Sequence, residues 1–270
     1  MSIIITNEGI LPESEIFQNK DCVDRTVYEV IRIIEGNPLF LEDHFARLIN
    51  SMQMEGLQLE MELKQFENRI LELVQLNQNK FGNVRFEYSI GGRKNHWSFG
   101  FIPHNYPTSD DYRIGVSVSL LFAERENPNA KVVQHTVREL ANRIIENQNL
   151  YEVLLVDRDG LITEGSRSNV FFVKGEAFYT APASKVLVGI TQQKVLECLD
   201  SLGFPVIIES VEASKINQFD AAFLTGTSPK VLPIRSIGNR VYSVQVDCVE
   251  KLILRYNQLI ESYISKGKTQ

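Results

Sequence analysis

Long apolar runs are missing from this sequence, and so is any excess of positive charge. Its hydrophobic stretches are only a few residues long, far short of the ~20 that a membrane-crossing helix needs, so no membrane partner is expected. Lys and Arg number 28 against 34 Asp and Glu, a net charge of −6. Without a basic surface, nucleic acid is not an expected partner. Cysteine is scarce. Cys22, Cys198 and Cys248 are far apart and odd in number, which argues against a disulfide framework and fits a reducing cytoplasm. His44, His96, His104 and His135 share no metal-ligand spacing, and no metal is expected. The opening Met1-Ser2-Ile3-Ile4-Ile5 lacks a charged n-region and a long h-region, so it reads as a first strand rather than a signal peptide.

What is present is ample core. The 270 residues, 43% hydrophobic, suit one large domain or two of ordinary size. Val27 to Ile34 reads as a strand, Glu35-Gly36-Asn37-Pro38 as a turn and Leu39-Phe40-Leu41 as the returning strand. Phe45, Leu48, Ile49 and Met52 recur at helical spacing after Glu42 and Asp43, and Leu63 to Gln78 carries a second apolar helix face. Asn83 to Ile90, Trp97 to Pro103 and Tyr112 to Phe122 read as strands. Ala123 to Ala130 is polar with no apolar period, which predicts a linker. The expected division is therefore a small N-terminal domain over 1–122, a linker over 123–130 and a larger domain over 131–270. In the latter, a helix from Val132 to about Gln148 precedes two hairpins, a helix through Leu202, alternating strands and helices, and a closing helix over Val246 to Ser265.

One carboxylate stands out. Leu161-Ile162-Thr163-Glu164-Gly165-Ser166-Arg167-Ser168-Asn169 runs into Val170-Phe171-Phe172-Val173. Two strands bracket Glu164, so it is expected to be at least partly buried, and a buried carboxylate demands a cation. Two other stretches suit an anion. Gly189-Ile190-Thr191 starts a helix, whose first amides have no internal partner. Thr225-Gly226-Thr227-Ser228-Pro229 is small and rich in hydroxyls. Taken singly, these are also what an ordinary helix cap and turn look like, and Arg47 alone reads as a solvated helix residue.

The ordered set is more specific. Val27-Tyr28-Glu29-Val30, Asp43-His44-x-x-Arg47-Leu48, Thr163-Glu164-Gly165-x-x-x-Asn169-Val170-Phe171, Gly189-Ile190-Thr191 and Thr225-Gly226-Thr227 follow one another over about residues 26 to 236. This resembles the class IV, or fold type IV, pyridoxal-phosphate enzymes: branched-chain aminotransferases, D-amino acid aminotransferases and aminodeoxychorismate lyase. The resemblance implies an α+β fold of two domains, the larger with a barrel-like β core, and a homodimer. It implies pyridoxal 5'-phosphate held by Lys131 as a Schiff base, with the lysine amine then moving the substrate α-proton. It implies Glu164 facing the ring nitrogen, so that the cation sought above is the cofactor itself. Arg47, Gly189, Ile190, Thr191, Gly226 and Thr227 would hold the phosphate, and Leu187 would pack on the ring. Tyr28 would lie on the substrate side. Arg93 and His96 fall where the D-amino acid enzymes carry an arginine and a histidine for the substrate carboxylate, at a different spacing. Lys185, Lys194 and Lys230 are rivals to Lys131 that lack its linker-before, helix-after setting.

The implied activity is transfer of an amino group between an α-amino acid and an α-keto acid. Elimination of pyruvate by an aminodeoxychorismate lyase uses the same cofactor residues and remains an alternative. A cofactor-binding protein without turnover is a third reading, prompted by Gln134 where the family commonly has Asn and by Val23-Asp24-Arg25-Thr26 where it often has Gly-Asp-Gly.

Overall fold

The computed structural model describes residues 2–14, 25–90, 95–125, 129–132 and 135–267. They form two compact units. The first takes the chain up to Asn105, the short stretch that begins at Ala130 and holds Lys131, and the residues from Ile260. The second takes Tyr106–Asn129 and the remainder through Leu259.

In the first unit, β1 (Ile3–Thr6), β2 (Gly9–Pro12), β3 (Arg25–Ile34), β4 (Asn37–Pro38), β5 (Gly82–Ile90) and β6 (His96–Ile102) form one sheet in the order β2-β1-β6-β5-β3-β4. Helices α1 (Leu41–Met54) and α2 (Leu63–Asn77) belong to the same unit. Strand alternation sends Val27, Ile31 and Ile33 of β3 and Val84 and Phe86 of β5 into one core with Leu48, Met52, Phe66 and Ile70 of the helices. Phe66 is its hub, meeting the rings of Phe86 and Phe99 edge-on at 5.1 and 4.9 Å. The expected hairpin partner at Leu39–Leu41 is instead the two-residue β4. Glu35 and Gly36 both have positive φ, 52° and 84°, which closes the turn two residues early. Leu41 then opens α1, where its amide donates to Tyr263 Oη at 2.9 Å.

The second unit holds α3 (Ser109–Ile114), β7 (Val116–Phe122), α4 (His135–Gln148), β8 (Glu152–Val156), β9 (Leu161–Gly165), β10 (Asn169–Lys174) and β11 (Ala177–Thr180). There follow α5 (Ile190–Leu202), β12 (Val206–Ile208), β13 (Val211–Glu212), β14 (Ala221–Gly226), β15 (Lys230–Ile237), β16 (Arg240–Val241) and the first part of α6 (Asp247–Gly267), whose residues from Ile260 count with the first unit. Nine strands run in the order β12-β11-β10-β14-β15-β7-β8-β9-β13, and β16 pairs with β15.

This sheet has to curl. Five strand intervals separate β9 from β10 in that order, about 24 Å if the sheet were flat. The chain joins them through Ser166, Arg167 and Ser168 alone, a reach of about 14 Å at most. The strands accordingly lie close together, and the sheet is the half barrel of the fold expected from the resemblance.

Three expectations are corrected. Tyr112 to Ile114 end a helix, because Thr108 caps α3 by accepting from the Asp111 amide at 3.1 Å. Gly115, at φ 72°, breaks the chain into β7. Val132 does not lie on α4 but forms an isolated bridge with Val27 of β3. The division into units also differs from a boundary near residue 122. Parallel pairing with β15 and β8 ties β7 to the second unit.

Replacing Phe66 with Ala is expected to cost about 3–5 kcal/mol, because a large fully buried ring leaves a cavity that the T-shaped neighbours cannot close. Urea denaturation followed by aromatic circular dichroism measures it.

Candidate active site

Each unit buries a carboxylate and presents it with an arginine of its own. In the first unit the carboxylate is Glu29, which is fully buried. Strand alternation turns Glu29 to the same face of β3 as Val27 and Ile31, toward α1, and Tyr28 to the opposite face. His44 and Arg47, one helical turn apart on α1, both reach it. Arg47 donates Nε to Oε1 at 2.7 Å and Nη2 to Oε2 at 2.8 Å. His44 Nδ1 lies 2.8 Å from Oε2, and since a carboxylate only accepts, Nδ1 carries the proton. Burial pushes the Glu29 carboxyl upward, but the Arg47 charge and the His44 and Arg47 hydrogen bonds outweigh it and hold the group far below the ordinary carboxylate range. Burial holds His44 below its ordinary 6.5 despite Glu29.

On the opposite face lies Tyr28, with the Arg85 guanidinium 4.5 Å and Lys131 Nζ 4.9 Å from its ring centroid. Lys131 is fixed through its backbone. Its carbonyl accepts from the Tyr28 amide at 3.1 Å, and its amide donates to Ser51 Oγ at 3.3 Å. The lysine thus extends the free edge of β3 rather than heading a helix. Tyr28, Arg47 and Lys131 are therefore brought into one unit around β3. His96 is exposed at the start of β6, and Arg93 lies outside the described residues.

In the second unit Glu164 is 3% exposed at the end of β9. Its Oε1 accepts from Arg125 Nη1 at 3.0 Å, and its Oε2 from the Leu187 amide at 3.2 Å. The Leu187 carbonyl accepts from Asn169 Nδ2 at 2.9 Å, so this residue is clamped on both sides. Asn169 also pairs across strands with Thr225, which brings the two anion-suited stretches to one margin. Gly189 has to be glycine, since a Cβ there would lie 2.2 Å from Asn169 Oδ1. A Cβ on Gly226 would press on Pro229 at 3.1 Å. Ile190 and Thr191 are the first two residues of α5 and both buried. Thr225 Oγ1 is buried with no partner, a polar atom aimed at a missing acceptor or donor.

Two of the rivals to Lys131 are paired with acids. Lys185 Nζ sits 2.8 Å from Asp157 and Lys194 Nζ 2.9 Å from Glu197. Lys230 opens β15 with a left-handed φ of 54°. Among the described residues no helix is long and apolar enough to cross a membrane, and no group of residues could hold a metal.

The family model "Amino-transferase class IV" matches residues 26–237. The chain belongs to this family. Class IV enzymes use pyridoxal 5'-phosphate. A D-alanine aminotransferase of Bacillus licheniformis is 29% identical over 222 residues, 78% of each chain. An aminodeoxychorismate lyase of Bacillus subtilis is 26% identical over 257 residues, 88% of this chain and 86% of that one. Among solved structures, a branched-chain aminotransferase of Thermoproteus uzoniensis with norvaline superposes with a TM-score of 0.85 at 21% identity, over 98% of this chain and 97% of that one.

The residues present fit the class IV cofactor in charge and in donors. In the second unit, the amides at the start of α5 and the buried Thr225 hydroxyl suit a phosphate and Glu164 suits a ring nitrogen; in the first, Arg47 suits a phosphate and Lys131 a carbonyl carbon. Sequence reasoning missed Arg85, Arg125 and the role of His44. The signals were there for the last: His44 and Arg47 share one helix face, and Glu29 is a lone acid in a β-branched run.

Stability is expected to fall with acid in two stages. The unfolded chain protonates its histidine before buried His44 does, so stability declines as the pH drops below 6.5. The Glu29 contribution is complete above its ordinary 4.5 and fades as the pH falls below that. Urea titrations between pH ~8 and ~3 read both stages, and His44→Gln should remove the first.

Proposed function

We propose that this chain is a pyridoxal-5'-phosphate-dependent aminotransferase that moves an amino group between an α-amino acid and an α-keto acid. The observation that carries the reading is the company of Lys131: its amine stands over Tyr28 in the unit that also holds Arg47. Arg47 binds the phosphate, pre-set by its two bonds to Glu29, which leave the guanidinium little freedom to lose on binding. The N-terminus of α5, Thr225 and Thr227 supply further donors, and Gly189 and Gly226 let backbone approach the anion. Leu187 would cover the ring, and Glu164 would hold a proton on the ring nitrogen. The cofactor, when bound, supplies the electron sink that makes the substrate α-hydrogen acidic. With the cofactor in place, Lys131 Nζ would take that proton from the substrate α-carbon, the role that separates transfer from simple binding. Tyr28, whose ring meets both the Lys131 amine and the Arg85 guanidinium, would lie on the substrate side; Arg93 and His96 stay as further candidates for the substrate carboxylate.

A lyase reading is kept because the Bacillus subtilis relative matches 88% of the chain. A cytoplasmic homodimer completes the proposal, in keeping with Cys198 and Cys248, which are buried free thiols.

Wild-type protein with pyridoxal 5'-phosphate is expected to show a visible band that amino acids from an L- and D-panel bleach. Borohydride followed by peptide mapping should place the label on Lys131, and Lys131→Ala should lose both. No bleaching by any amino acid, with pyruvate released from aminodeoxychorismate instead, would favour the lyase. Light scattering at the mass of a single chain would remove the dimer.

A further inference from the structure

The second unit buries two carboxylates a few residues apart in space, and treats them differently. Glu152 receives only neutral donors: Ser166 Oγ at 2.6 Å, Ser168 Oγ at 3.1 Å, and the amides of Arg167 at 3.0 Å and Val153 at 2.9 Å. Those bonds fix the turn that follows Glu164. Glu164 instead receives a guanidinium, that of Arg125, at 3.0 Å, with both side chains nearly closed to solvent. Neutral donors therefore suffice to bury an acid here, and the cation at Glu164 needs a separate reason.

We propose that Arg125 is a positioning residue that keeps Glu164 charged and aimed, so that the proton shared with the cofactor stays on the ring nitrogen. The inference rests on the cofactor reading above. A desolvated carboxylate facing a protonated pyridine competes for its proton, because burial favours the neutral acid and the neutral base over the ion pair. A guanidinium on Oε1 reverses that preference: it favours the carboxylate form, and the proton remains on nitrogen. The Leu187 amide on Oε2 at 3.2 Å fixes the plane of the carboxylate. Arg125 touches no reacting atom in this scheme; it acts through Glu164.

The test uses full-length protein loaded with pyridoxal 5'-phosphate labelled with 15N in the ring. In wild type the nitrogen resonance is expected at the protonated position. In Arg125→Met it should move toward that of neutral pyridine, while Arg125→Lys, which keeps the charge, should stay near wild type. A second arm compares affinity for pyridoxal 5'-phosphate with that for its 1-deaza analogue, in which carbon replaces the ring nitrogen. Arg125→Met should change the first and leave the second within about twofold. An unmoved resonance in loaded Arg125→Met, or equal changes for both ligands, would mean a structural role and overturn the proposal. Should Arg125→Met not fold, Arg125→Gln is read by the same criteria. Wild-type protein that takes up neither ligand would bring down the cofactor reading, and this proposal with it, before any variant is made.

Discussion

An acid taken out of water has to be met by donors, and each unit of this protein meets one such acid with a cation. Glu29 is met by Arg47 and His44, Glu164 by Arg125. Neither pair is a generic surface bridge, which would contribute at most about 1 kcal/mol. With the charges buried, removing one partner alone costs about 3–5 kcal/mol, so each pair fixes the position of its members. In the first unit that position is α1 against β3, with Arg47 set; in the second it is the end of β9 against the loop at Leu187.

The loop at Leu187 shows how backbone becomes site. Leu187 gives its amide to Glu164 and its carbonyl to Asn169, and Asn169 lies opposite Thr225. The segment that leads into α5 and the segment that leaves β14 are thereby held to a common strand end. Glycine at 189 follows from this arrangement, since the Asn169 side chain occupies the place of a Cβ.

Much of this was legible in the sequence. Apolar runs bounded by turn residues found β3, β5, β8 and β10, helical spacing found α1 and α2, and the lone Glu164 between apolar strands is buried as its setting required. What was not legible depends on partners distant in the chain. Leu39 to Leu41 look like a strand, and only the positive φ at Glu35 shortens the turn. Tyr112 to Ile114 continue the alternation of β7, and only the Thr108 cap makes them helical. Val132 continues the apolar stripe of α4 yet bridges to Val27, which no local pattern encodes. Arg125 sits in a polar stretch that reads as a linker, and no local pattern marks it as a partner of Glu164. The burial of Arg125 comes from the fold around β7 and β9, not from its neighbours in sequence.

The curled sheet carries one more consequence, for the order in which the molecule can form. At its centre β7 pairs in parallel with β15, so Val116 finds Ile234 across most of the second half of the chain. Hairpins such as β8–β9 close early and locally, but this seam waits for a strand far downstream in the chain. Pairings of such long range are the slow ones, since loop entropy is lost before any contact compensates it. Until then β7 exposes an open edge, and nascent chains at that stage are the ones that need shielding from one another.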